Sequence, residues 1–137
     1  MIATGTVMNE SVFRIDDVAD DPRRLTQSVL QITELLVLYQ AELARILCIK
    51  CGDVGQLASG RRCLVPDTVA WRQARLLVRL YRALYARHDG NGAAMCHWLR
   101  VSQPVLDGMP HLLMVDEGRL EDVVHCLEQA PATTAAT

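Results

Sequence analysis

Aromatic side chains are scarce in this sequence: they make up 4% of the residues, and Phe occurs once. A β-sandwich or barrel core draws on aromatic and β-branched side chains, so that class is disfavoured. Long apolar runs are missing as well. None approaches the roughly 20 residues needed to cross a bilayer, so no membrane partner is expected. The N-terminus lacks the basic start and apolar run of a secretory signal and has Glu10, Asp16, Asp17, Asp20 and Asp21 instead. A cytoplasmic location is the expectation. The five cysteines, Cys48, Cys51, Cys63, Cys96 and Cys126, are odd in number and unevenly spaced, which argues against a disulfide framework. What is abundant is aliphatic. Hydrophobic residues are 50% of the 137, enough for one compact domain or two very small ones.

The apolar spacing is helical throughout, with no convincing strand alternation. Residues 1–21 are polar, acidic and aperiodic, and read as a flexible arm. Asp21 and Pro22 suit a helix start, after which Leu25, Val29, Ile32 and Leu36 recur on one face. A second helix covers Gln40 to Leu47. A break at 48–50 leads to a third over Asp53 to Ala58, with Gly60 placed as its C-terminal stop. A long helix opens at Pro66 or Asp67 and runs about five turns to Asp89-Gly90-Asn91-Gly92. Val69, Leu76, Leu77, Leu80 and Leu84 form its apolar stripe, widened by Trp71, Tyr81 and Tyr85. Three shorter helices follow: Ala93 to Leu99, Pro110 to Met114, and Arg119 to Glu128. Residues 131–137, rich in Ala and Thr, read as a disordered tail.

Charge is unevenly spread. Arg61, Arg62, Arg72, Arg75, Arg79, Arg82 and Arg87 face only Asp67, which gives +6 between residues 61 and 87. From residue 88 onward, Arg100 and Arg119 oppose Asp89, Asp107, Asp116, Glu117, Glu121, Asp122 and Glu128, which gives −5. A basic middle beside an acidic C-terminal third suggests two surfaces with different partners. Catalytic machinery is not evident. The four histidines, His88, His97, His111 and His125, lack a nucleophile–base arrangement, and there is no glycine-rich phosphate loop. Cys48-Ile49-Lys50-Cys51 is a C-x-x-C without an obvious fourth ligand, and reads as structural thiols. The expectation is no enzyme, no catalytic residue, no metal and no cofactor.

The strongest local pattern starts at Tyr39. Gln40-Ala41-Glu42-Leu43-Ala44, Ile46-Leu47, Ile49, Val54, Leu57 and Gly60 have the spacing of a helix-turn-helix. A small residue at Ala44 lets the second helix cross closely, Ile49 plugs the turn, and Val54 and Leu57 anchor the recognition helix. Gln40, Lys50, Cys51, Asp53 and Gln56 would then face DNA, with Arg61 and Arg62 on phosphates. Cys48 stands where such turns usually have Gly, and the recognition segment has two glycines and no Arg. The expected fold class is all-α: a helix-turn-helix bundle over 22–90, including the long helix, and a small helical module over 91–130.

Trp98-Leu99, Pro104, Leu106, Met109-Pro110, Leu112-Leu113, Gly118 and Val123-Val124 with Leu127 resemble the C-terminal toxin-binding domain of the Xre/MbcA/ParS antitoxins. The stretch from Gln40 to Gly60 is similar to the Xre-like domain that precedes it in that family. The resemblance implies an antitoxin of a type II toxin–antitoxin system. Its partner would be a cognate toxin of the RES type, an enzyme that depletes NAD. It also implies a homodimer that binds operator DNA and represses its own operon. Trp98, Leu106, Pro110, Leu113, Gly118 and Val123 are the matching positions of the toxin-binding module, most of them serving its fold. Met109 departs from the capping hydroxyl of the family, and Asp107-Gly108 replaces its usual Gly followed by a longer or basic residue. The alternative is a stand-alone helix-turn-helix regulator, or an orphan relative without a toxin.

Overall fold

A computed structural model describes residues 21–129, and it is all-helical, with seven helices and no strand among them. The arm expected over 1–21, apart from Asp21, and the tail over 131–137 lie outside the described residues.

Helix α1 (Pro22–Leu35) begins as its sequence dictates. The Asp21 carboxylate accepts from Arg23 N at 3.0 Å, and Pro22 takes the first turn, where no N–H is needed. Leu25, Val29 and Ile32 are buried along one stripe. Thr26 and Thr33 sit on the same side and satisfy their hydroxyls on the Pro22 and Val29 carbonyls, both at 2.7 Å. Helix α2 (Gln40–Leu47) and α3 (Cys51–Ala58) are joined by three residues. Cys48 ends α2 in the left-handed region, with φ of 62°, and Ile49 N then donates back to Ala44 O at 3.0 Å. Ala44, Val54 and Leu57 are buried between the pair, and Ile49 packs partly against the core.

Helix α4 (Val69–Arg87) is the spine, 19 residues long and packed against α1, α2, α5 and α7. Its cap is Thr68, whose hydroxyl accepts from Trp71 N at 3.1 Å and donates to Val65 O at 2.7 Å. The expected opener, Asp67, lies outside the helix with φ of 67°. Trp71, Ala74, Leu77, Val78, Leu80, Tyr81 and Leu84 are buried. Val69, expected in that stripe, is 51% exposed, because at the first helical position it points away from the core. Gly90 follows with φ of 75°, and a Cβ there would come within 2.8 Å of the Tyr85 ring, so glycine is required.

Helices α5 (Gly92–Leu99), α6 (Pro110–Asp116) and α7 (Leu120–Gln129) complete the molecule. Asn91 caps α5 by accepting from Ala94 N at 3.1 Å. Met95, Leu99, Leu106, Leu113, Met114, Leu120, Val123, Val124 and Leu127 join the α1–α4 side chains in one continuous core. Polar ties cross the same seam. Arg79 on α4 grips Glu128 on α7 with two parallel bonds, at 3.1 and 2.6 Å, and these hold its charge above the ordinary arginine range. Arg45 on α2 meets Asp116 at the end of α6 at 3.2 Å.

Candidate functional site

The residues expected to face DNA run from the starts of α2 and α3 to the loop after α3, and several are already engaged. Gln40 Nε2 donates to Cys51 O at 3.4 Å, lying over Gly55, where a Cβ would approach that amide to 3.3 Å. Asp53 accepts from Lys50 N at 3.4 Å and meets Arg62 Nη1 at 3.5 Å. One phosphate-facing arginine is thus paired with the acid of the recognition helix. Lys50, Cys51, Gln56 and Arg61 are exposed. The two glycines keep this surface low: beside Gly52 there is open space, and Gly55 is covered by Gln40. The face can approach a phosphate backbone closely. With Lys50, Arg61 and Arg62 against Asp53, its charge is modest.

The positions matched to the toxin-binding module separate into two groups. Leu106, Pro110, Leu113 and Val123 are buried, Val123 completely, so they build the core. Gly118 is exposed with φ of 66° and makes the turn between α6 and α7. Trp98 is half-buried, with the Arg87 guanidinium 5.7 Å over its ring. No matched position except the edge of Trp98 offers a side chain of any size to a partner.

An exposed apolar surface lies close by, and the sequence did not mark its residues as a surface. Arg100, just past α5, donates from Nη2 to Leu36 O at 3.0 Å and Val37 O at 2.8 Å. It thereby brings the α1–α2 turn against the loop after α5. Val37, Tyr39, Val101 and Val105 are all exposed there, Val37 to 62% and Val105 to 84%. Gln103 holds that loop by donating from Nε2 to Trp98 O at 3.1 Å and Val101 O at 3.3 Å. From the other side, Glu42 accepts from Tyr39 N at 2.9 Å and lies 2.8 Å from His111 Nε2. That approach is oblique to the ring, so it is an electrostatic contact without an aligned hydrogen bond. His111 precedes Leu112, a further exposed leucine. Val37 is unusual in a second way. Its φ is 58°, a left-handed conformation that costs a β-branched residue roughly 1–3 kcal/mol.

Compared with models of protein families and with curated proteins, the sequence matches none. The reading of the site therefore rests on its own chemistry.

Among the described residues, no three His, Cys, Asp or Glu side chains gather as a metal site would require. Cys48, Cys51 and Cys63 are exposed free thiols. No described helix is long and apolar enough to cross a membrane. As a surface the rim was missed at the sequence level, because Val37, Tyr39, Val101 and Val105 sit in or beside turns, where periodicity carries no information, and Leu112 was legible only in the motif it shares with Leu113. The one available signal was Val37-Leu38-Tyr39, apolar residues at the point where the first helix must end.

Proposed function

We propose that the chain is an interaction protein of the antitoxin type, which neutralises a cognate toxin enzyme by covering it and carries out no chemistry of its own. The observation that supports this reading is the rim formed by Val37, Tyr39, Val101, Val105 and Leu112 around Arg100 and Glu42. Apolar side chains held out to solvent on fixed backbone mark a protein-docking surface, and one of them is kept there at a cost in backbone strain. The C-terminal third carries a net charge of −5 from residue 88 onward, which favours a partner that pairs apolar anchors with basic residues. On the strength of the Xre/MbcA/ParS resemblance, that partner is a RES-type, NAD-depleting toxin, and the acting species is a cytoplasmic homodimer.

Co-expression tests this. A toxin encoded beside this gene should arrest growth alone and be silenced by the wild-type chain. Val105→Asp, on the exposed loop, should abolish rescue while leaving the fold intact, because truncating or charging a central anchor costs about 2 kcal/mol or more of binding. Rescue that survives both Val105→Asp and Val37→Asp would remove this surface from the proposal.

The α2–α3 pair supports a second activity, repression of the chain's own operon through a helix-turn-helix. Its three-residue turn, buried Ala44, Val54 and Leu57, and exposed Lys50, Gln56 and Arg61 favour it. Replacing Arg61 and Arg62 by Ala together should reduce the slope of log affinity against log salt by about 2 on promoter DNA. An unchanged slope would remove both arginines from the interface. DNA binding without any toxin rescue would favour the stand-alone regulator.

A further inference from the structure

Between the turn after α3 and the start of α4 lies a cavity of about 210 Å³. Its walls are aliphatic: Ile49, Leu57, Leu64, Val65 and Ala70. The backbone that carries them is fastened. Leu64 N donates to Thr26 Oγ1 at 2.9 Å, and Val65 O accepts from the Thr68 hydroxyl at 2.7 Å. The N–H groups of Arg61 and Arg62 both donate to Gln56 O, at 3.0 and 3.3 Å. Such a cavity is formed before a ligand arrives, as small-molecule sites usually are.

The charged lining consists of one carboxylate and one guanidinium, Asp53 and Arg62. They lie side by side, with Arg62 Nη1 3.5 Å from Asp53 Oδ1. That is longer than the about 2.7–2.9 Å of a strong charge-assisted bond. The Arg62 side chain is 62% exposed, so the pair is weak and opens readily. Thr68 also lines the cavity, but its hydroxyl already donates to Val65 O and accepts from Trp71 N. Recognition of a polar group therefore falls to Asp53 and Arg62.

A fitting ligand brings an apolar body and, next to it, one charge of each sign. An aliphatic acid would meet Arg62 but set its carboxylate beside Asp53, and an aliphatic amine would have the converse conflict. A free α-amino acid satisfies both, because its ammonium and carboxylate share one carbon. Size agrees: at about 30 Å³ per water the cavity holds about seven waters, the room of a small aliphatic molecule. We propose that this cavity binds a free α-amino acid with an aliphatic side chain, its carboxylate on Arg62, its ammonium on Asp53 and its side chain among Leu57, Leu64 and Ala70. Bound ligand competes for an arginine assigned above to DNA phosphate. That consequence rests on the helix-turn-helix reading, whereas the site does not, and its test contains no DNA.

Calorimetric titration of the full chain with L-leucine measures the site directly. N-acetyl-leucine, which lacks the ammonium, and leucinamide, which lacks the carboxylate, should each bind about tenfold or more weaker. Serine, which lacks the aliphatic body, should not bind. Arg62→Gln should weaken leucine by about tenfold while leaving leucinamide unchanged. Ala70→Leu, which fills the cavity from α4, should abolish binding with the helical circular dichroism intact. Leucine should also slow alkylation of Cys63 by iodoacetamide about twofold or more without affecting Cys48, since Cys63 lines the cavity and Cys48 does not. Absence of binding by leucine, isoleucine and valine overturns the proposal. N-acetyl-leucine or leucinamide binding as tightly as leucine also overturns it, by assigning the cavity to a simple acid, an amine or a peptide end. Leucine binding that survives Ala70→Leu places the ligand elsewhere and overturns it too.

Discussion

Val37 and Cys48 both occupy the left-handed region, with φ of 58° and 62°, where L side chains crowd the following carbonyl. Both end a helix. In each case a glycine would relieve the strain, and what the side chain does in return differs. Cys48 is exposed, and its Sγ lies 4.0 Å from Ile46 O, the outer limit of a thiol hydrogen bond. Cys48→Gly should therefore stabilise the fold by about 0.5–1 kcal/mol, seen as a higher urea midpoint with an unchanged slope. Val37→Gly should stabilise it to a similar extent and, on the proposed function, weaken binding of the partner at the same time, because the exposed isopropyl group is lost. A variant that gains stability and loses affinity separates a docking role from a structural one. Tyr81 carries a different residue-scale effect. Burial, with smaller contributions from Tyr85 and Cys96, pushes its phenol above the ordinary 10.0. The folded state thus prefers the neutral phenol. Its contribution to stability is complete below pH 10 and is lost as pH rises through the folded value. Between pH 9 and 11 the wild-type urea midpoint should fall more steeply than that of Tyr81→Phe.

Helix starts show what could be read in the sequence and what could not. Asp21-Pro22 was legible, because the acid itself is the cap and the proline needs no donor. The starts of α3 and α4 were displaced. Asp53 is the third residue of α3, and its carboxylate reaches back to Lys50 N at 3.4 Å, so the helix begins at Cys51, earlier than the acid suggests. Asp67 takes a left-handed turn and leaves capping to Thr68. An acid near a helix start has several ways to serve it, and composition does not choose between them. The assignment at α4 has a measurable consequence. Thr68→Ala should cost about 1 kcal/mol, Thr68→Ser should recover most of it, and Asp67→Asn should cost little, since Asn tolerates the same backbone. A larger loss from Asp67→Asn than from Thr68→Ala would return the cap to Asp67.

At the scale of the molecule, periodicity predicted most of the buried faces of α1 and α4, Val69 apart, but not how the helix faces combine. Leu25, Leu77, Leu84, Leu99 and Val124 were each legible as inward-facing, and the structure places all of them in one core. The ties between segments distant in sequence left no signal: Arg79 to Glu128, Arg45 to Asp116, and Arg100 to the carbonyls of Leu36 and Val37. Exposed pairs such as Arg45–Asp116 contribute little each, about 0–1 kcal/mol. The apolar seam between α4 and α7 is the most extensive junction of residues 22–90 with residues 91–129, with α2 against α6 and α4 against α5 beside it. Modules sharing a core in this way cannot unfold separately without exposing Leu77, Leu80 and Leu84 to water. The two tryptophans fall on either side of the expected boundary at residue 90, with Trp71 on α4 and Trp98 on α5. Trp98→Phe and Trp71→Phe therefore give single-tryptophan chains that report on each side. Each variant's fluorescence transition in urea should coincide with its own helical transition by circular dichroism, as a two-state unit requires. If instead the Trp98 signal melts before the helical signal while the Trp71 signal follows it, residues 91–130 form an independent domain and the seam is only a contact.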